Sequence, residues 1–212
     1  MSTYRPLIIK VCGMTQGDNI LAVEALGVDW LGFIFFDRSP RCVRQEPNRM
    51  PQRAKRVGVF VNASLEEIRT RIGEYGLHYV QLHGDESPSF CLEVQALGVG
   101  VIKAFPLSEA VDLEATMPYE GCCNYYLFDT KTAQQRGGSG MRFNWQLLDA
   151  YRGANPFLLS GGIGPESLDA LRRFEHPLWA GIDLNSRFES APGVKALPLL
   201  APFIHNLKSY PL

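Results

Sequence analysis

The stretch PFLLSGGIGPESLDALRRF, residues 156–174, sets a strand, a turn and a helix start in direct succession. Phe157, Leu158 and Leu159 form a short continuous apolar run, the pattern of a strand covered on both faces. Gly161 and Gly162 then punctuate it, because glycine accepts backbone conformations closed to other residues. Pro165 stands where a first helical residue belongs, and Leu168 and Leu171 follow at helical spacing. A strand that feeds a helix in this way pairs with its neighbour through a crossover, and so in parallel.

The same unit recurs along the chain. Apolar runs of strand length appear as LIIKVCG from residue 7, WLGFIFF from 30, RVGVFV from 56 and HYVQLHG from 78, then as GVIKAFP from 100, YYLFDT from 125, PFLLSGG from 156 and LWAGIDLN from 178. Between them, SLEEIRTRIGEYG offers Ser64 as N-cap with Glu67 in capping-box position, and Leu65, Ile68, Ile72 and Tyr75 share one face. Ser87 and Pro88 open SPSFCLEVQALG, which stops at Gly98; GDNILAVEALG takes a cap from Asp18 or its neighbours and closes on Gly27. The segments after the second and fifth runs read weakly as helices, because Pro47, Pro51 and Pro118 break them. Alternating βα units of this number predict an α/β protein, a single closed (β/α)8 TIM barrel filling one domain over residues 1–212. The rival is an open doubly wound sheet, but CGMTQGDN after the first run lacks the GxGxxG turn that such a fold would carry.

Bulk properties exclude several classes of function. Apolar content of 46%, charged content of 20% and a formal net charge of −1 give no global attraction to nucleic acid or to an anionic membrane surface. The 5 cysteines include no CxxC pair, and adjacent Cys122 and Cys123 suit neither a disulfide framework nor a zinc site. The 4 histidines lack the paired spacing of a metal-binding helix, so no metal is expected. With no leader and no membrane-length apolar run, the expectation is a reduced, cytoplasmic protein. Arg38, Arg41, Arg44, Arg49, Arg53, Lys55 and Arg56 crowd one segment against Asp37 and Glu46, either as a solvated face or as a surface for an anionic small molecule.

In a barrel of this kind the active site forms at the C-terminal ends of the strands. There the sequence places Cys12, His83 and Asp129, and after them Asp183, Asn185 and Ser186. Alone, Cys12 reads as a small buried hydrophobe. In the ring, however, the first and sixth strands face each other across the mouth, so Cys12 and Asp129 could remove a proton on one side of a substrate and supply one on the other. Gly161, Gly162, Asn185 and Ser186 occupy the usual phosphate position of these barrels, where backbone N–H groups and a helix N-terminus meet an anion; a plain tight turn would also use the glycines. QQRGGSGMRF, with Gly138, Ser139 and Gly140, reads as a linker or as a lid over substrate. Period-two alternation sends Lys10, Gln81, Lys103 and Asp183 into the barrel, with Lys10 and Asp183 as the preferred pair, since unpaired buried charge is costly.

Taken together, KVCGMT, GFIFFDRSPR, VGVFVN, VQLHGDE, LFDTK, GGSGMRFNW, LLSGGI and GIDLNSRFE resemble the phosphoribosylanthranilate isomerase family of tryptophan biosynthesis, in order and spacing, from about residue 8 to 195. The resemblance implies an Amadori rearrangement of N-(5-phosphoribosyl)anthranilate with Asp129 as general acid and Cys12 as general base. It implies further that Arg41 pairs with the anthranilate carboxylate, as a guanidinium fork does well, and that the two glycine turns hold the phosphate. Cys42, Met141 and Asn144 depart from the family pattern and touch neither proton-transfer residue. The expected partner is that one small molecule, handled by a monomer without metal or organic cofactor, with no nucleic acid and no membrane. Two rivals stand beside this reading. A histidine-pathway isomerase would carry paired aspartates and a twofold repeat, which the halves here do not show, and a mere anion-binding barrel would need no acid–base pair.

Overall fold

The computed structural model describes residues 7–130 and 145–209. Its strands are Ile8–Val11 (β1), Trp30–Ile34 (β2), Lys55–Phe60 (β3), Tyr79–Leu82 (β4), Gly100–Leu107 (β5), Tyr125–Thr130 (β6), Phe157–Ser160 (β7) and Trp179–Leu184 (β8). They close in sequence order into a parallel barrel, with β1 lying against β8 in the register Ile8↔Gly181 and Lys10↔Asp183. Every apolar run singled out in the sequence is one of these strands.

The crossovers are less uniform. Helices Gly17–Ala25 (α1), Leu65–Tyr75 (α2), Pro88–Gln95 (α3), Leu168–Arg173 (α4) and Leu197–Ser209 (α5) cover the outside. The Ser64 and Ser87 side chains accept from the N–H groups of Glu67 and Phe90, as N-caps do. For α1 the cap is Gln16, which makes no side-chain cap bond, so Asp18 lies in the first turn instead of capping it. Between β2 and β3 there is no helix. Glu24 of α1 replaces one, accepting from Arg53 N (2.7 Å) and Ala54 N (2.8 Å) and so fastening the end of the loop to the barrel wall. Between β5 and β6 the chain runs as a 3₁₀ segment, Ala110–Tyr119, with Pro118 inside it. Pro47, Pro51 and Pro118 thus mark two crossovers that did not become α-helices. After β8 the short antiparallel strands Glu189–Ala191 (β9) and Val194–Lys195 (β10) form a hairpin that the sequence pattern does not announce.

Alternate residues divide the core in two. Trp30, Val57, Ile102, Ala104, Leu127 and Leu158 pack inside the ring, while a larger cluster fills the space between sheet and helices. Trp30 stacks on Tyr79 (4.5 Å between centroids) and meets Tyr125 edge-on (5.3 Å), closing the N-terminal floor. Lys103 corrects the parity argument. Its neighbours Ile102 and Ala104 are the inward residues of β5, so Lys103 faces the helical layer. There its Nζ donates to the carbonyls of Gly84 (2.8 Å) and Ala104 (3.1 Å) and pairs with Glu86 (3.3 Å). A one-residue difference in register sends a strand side chain to the opposite face.

The seam between β1 and β8 tolerates no side chain at Gly181, where a Cβ would overlap the Ile8 carbonyl. Gly181→Ala is expected to cost about 1–3 kcal/mol by overpacking, seen as a lower urea midpoint at unchanged m-value.

Candidate active site

A cavity of about 210 Å³ opens at the C-terminal mouth of the barrel, walled by Cys12, His83 and Asp129 on one arc and by Gly161, Gly162, Asp183, Asn185 and Ser186 on the other. The structure therefore brings together the tip residues expected from the sequence. Gly138, Ser139 and Gly140 lie outside the described residues. A larger concavity of about 480 Å³ at the opposite end is lined by Trp30, Tyr79 and Lys55, and its carboxylates Glu24 and Asp29 accept from the backbone N–H groups of Ala54 (2.8 Å) and Ile9 (2.8 Å).

Cys12 follows directly on β1, its N–H donating to Leu184 O (2.8 Å), and it is 3% exposed. Gly32 makes room for the thiol, since a Cβ there would stand 2.7 Å from Sγ. Burial pushes the Cys12 thiol above its usual range. The ammonium groups of Lys10 and Lys195 pull against this, and Asp183 adds to it. Lys10 and Asp183 form the expected pair across the seam at 2.8 Å, both nearly inaccessible. Burial works to lower the Lys10 ammonium, but Asp183 and then Cys12 outweigh it and hold the lysine above its usual range.

Asp129, at the end of β6, belongs to a hydrogen-bonded chain. Its Oδ2 lies 3.1 Å from His83 Nε2, and His83 Nδ1 lies 2.8 Å from Gln81 Nε2. With Gln81 donating to Nδ1, the neutral ring carries its proton on Nε2 and donates to an Asp129 carboxylate. Among the described residues, Gln81 Oε1 is buried without a hydrogen-bond partner. Turning the amide over satisfies that oxygen through Nδ1–H and leaves Nε2 to accept from a protonated Asp129. The relay is thus compatible with both protonation states that a general acid must visit.

Gly161 (φ 82°) and Gly162 (φ 66°) both adopt the left-handed conformation that favours glycine. The 3₁₀ turn Pro165–Ser167 and the 6-residue α4 come next in the chain, so no long helix dipole points at this loop. Asn185 turns its Oδ1 to Lys195 Nζ (2.8 Å) instead of capping a helix. Arg187 also lines the mouth, its guanidinium 2.6 Å from Glu166 on the neighbouring loop.

Arg41 is not among the residues that line the cavity; it packs beside Gly13, where a Cβ would meet its Cδ at 2.9 Å. Its fork is occupied by Glu189, with Nε at 2.9 Å from both carboxylate oxygens and Nη2 at 2.7 Å from Oε2. Lys195 donates to the same carboxylate at 2.7 Å. Burial works to raise the Glu189 carboxyl, but the bonds from Arg41 and Lys195 outweigh it and hold the group below its usual range. Elsewhere in the basic segment Arg49 pairs with Asp18 (3.1 Å), Arg44 donates to Asp37 O (3.2 Å) and Arg56 donates to the carbonyls of Tyr75 and Pro51. Sequence reasoning missed Glu189 and Lys195. The charged residues flanking the APG turn were the available signal, since a lysine next to a two-strand hairpin carries no pattern of its own.

Comparison with known proteins points to one family. Residues 9–206 match the family model described as N-(5'phosphoribosyl)anthranilate (PRA) isomerase. A relative from Phocaeicola vulgatus, named N-(5'-phosphoribosyl)anthranilate isomerase, is 52% identical over 202 residues, covering 95% of this chain and 98% of its own. The crystal structure of phosphoribosyl anthranilate isomerase from Thermotoga maritima is similar at a TM-score of 0.81 and 33% identity, covering 97% of this chain and 100% of its own. Another, in complex with reduced 1-(o-carboxyphenylamino)-1-deoxyribulose 5-phosphate, is similar at a TM-score of 0.79 and 30% identity, with the same coverage.

Removing one partner of the Lys10–Asp183 pair strands a buried charge. Lys10→Met is expected to lose about 3–5 kcal/mol of stability, much of it regained when Asp183→Asn is added; urea unfolding of the four proteins of the cycle measures the coupling.

Proposed function

The chain belongs to the N-(5'-phosphoribosyl)anthranilate isomerase family, and from that premise we propose that its barrel mouth catalyses the Amadori rearrangement of N-(5-phosphoribosyl)anthranilate to 1-(2-carboxyphenylamino)-1-deoxyribulose 5-phosphate, a step of tryptophan biosynthesis. The observation that carries the reading is that Cys12 and Asp129 line the same small cavity as the paired glycine turn. The reaction only relocates protons and electron pairs within one molecule. Asp129, oriented by His83, gives its proton to the furanose ring oxygen; the ring C–O bond breaks and the nitrogen lone pair forms the Schiff base. The Cys12 thiolate takes the proton from C2′, and the released electron pair neutralises the iminium as an enolamine, which tautomerises to the ketone.

The other residues bind and orient. Gly161, Gly162, Asn185 and Ser186 hold the phosphate through loop N–H groups and short polar side chains. Arg41 receives the anthranilate carboxylate by yielding part of its fork from Glu189. We read the enzyme as a monomer and the chain as one domain, on the ground that the strands of a single barrel carry both proton-transfer residues and the glycine turn. The 5 cysteines are unpaired, which suits a reducing cytoplasm, and no helix among the described residues is long and apolar enough to cross a membrane.

Cys12→Ala and Asp129→Ala are each expected to lower kcat by roughly 10²–10⁴-fold, read as the fluorescence change when the anthranilate substrate is consumed. If both variants turn over like wild type, this mechanism fails. Because burial raises the Cys12 thiol and the base acts deprotonated, kcat/KM is expected to climb with pH through the neutral range as thiolate accumulates.

A further inference from the structure

Lys195 is a buried cation for which the proposed acid–base chemistry has no use. Its side chain is 0% exposed, and Nζ donates to Asn185 Oδ1 (2.8 Å) and Glu189 Oε1 (2.7 Å). The backbone holds it there: Lys195 N donates to Asn19 Oδ1 (2.8 Å), and Asn19 Nδ2 donates to Lys195 O (2.9 Å), which ties β10 to α1. Burying an ammonium is costly, and the usual compensation is one carboxylate for each cation. Here Lys195 and Arg41 share a single carboxylate, Glu189. The cluster therefore carries an excess positive charge, whereas the Lys10–Asp183 pair beneath Cys12 is balanced. That excess lies against the thiol's chain neighbour, since a Cβ on Gly13 would stand 2.9 Å from both Asn185 Oδ1 and Arg41 Cδ.

We propose that Lys195 is a positioning residue that acts as counter-ion to the Cys12 thiolate, delivered to the mouth by the β9–β10 hairpin and aimed by Asn185 and Glu189. The inference rests on reading Cys12 as the base. The charged and titratable groups around the thiol include Lys10 from β1, Asp183 from β8 and Lys195 from β10, while Asp129 from β6, His83 after β4 and Arg187 after β8 line the same cavity. Lys10 and Lys195 favour the thiolate, and Asp183 opposes it. Lys10 is already spent on Asp183, so Lys195 supplies the charge that ionisation of Cys12 would balance. Burial draws the Lys195 ammonium down, and Glu189 and then Cys12 oppose that, which is the reciprocal of the same interaction.

The test is alkylation of Cys12 by iodoacetamide as a function of pH, followed by mass spectrometry of the Cys12 peptide so that the other cysteines do not contribute. Lys195→Gln, which keeps a hydrogen-bonding side chain but no charge, is expected to move the alkylation midpoint up by about one unit, slowing the reaction roughly tenfold at neutral pH. Glu189→Gln, which removes the carboxylate that offsets Lys195, is expected to move it down. Lys195→Arg stays near wild type. A purely structural role predicts no such opposition of sign. An unmoved midpoint in both glutamine variants overturns the proposal, and if Lys195→Gln does not fold, the direction of Glu189→Gln decides alone. The pH limb of kcat/KM should shift with the midpoint. If alkylation shifts while that limb stays fixed, Lys195 remains the counter-ion and it is the base role of Cys12 that fails.

Discussion

Closure of the barrel depends on one seam, where β1 lies against β8 with Lys10 opposite Asp183. Without that pairing the strands would form an open sheet, and the tips of β1 and β6 would not face each other across a mouth. The ion pair at the seam sits fully inside the ring at 2.8 Å. Its geometry matters because a buried pair is tolerated only when each charge is met, and the same pair lies directly beneath the thiol. Structure and chemistry therefore share one constraint. The Lys10–Asp183 contact fixes the register, and the register fixes where Cys12 stands.

The interior of the ring is graded from apolar to reactive. Trp30, Val57, Ile102 and Leu127 seal the lower part. Lys10, Gln81 and Asp183 form a polar layer above them, and Cys12, His83, Asp129 and Ser160 line the opening. Each step places more polar groups in a site still partly withheld from water, where charges interact more strongly than at the surface. Glycines set the clearances within this arrangement. Gly32 leaves space for Sγ, and Gly161 and Gly162 take left-handed conformations at the anion loop.

Much of this was legible in the primary structure for identifiable reasons. Parallel strands buried on both faces are continuous apolar runs, and each run from LIIKVCG to LWAGIDLN became a strand. Ser64 and Ser87 announced their helices because an N-cap is a local contact. The loop joining β2 to β3 was harder to read, since its anchor, Glu24, lies in the preceding helix and makes its bonds 29 and 30 residues away. Lys103 was misplaced because counting alternation from sequence fixes the parity of a strand only if its register is known.

The sequence by itself determined the eight barrel strands, the residues at their tips and the family to which the chain belongs. It did so because periodicity, caps and glycine turns are properties of neighbouring residues. Only the tertiary structure decided which charges meet. Lys10 finds Asp183 across 173 positions, and Arg41 finds Glu189 across 148. No local pattern encodes such a contact. It exists because closing a ring brings the first strand beside the last, so the electrostatics around Cys12 belong to the closed barrel.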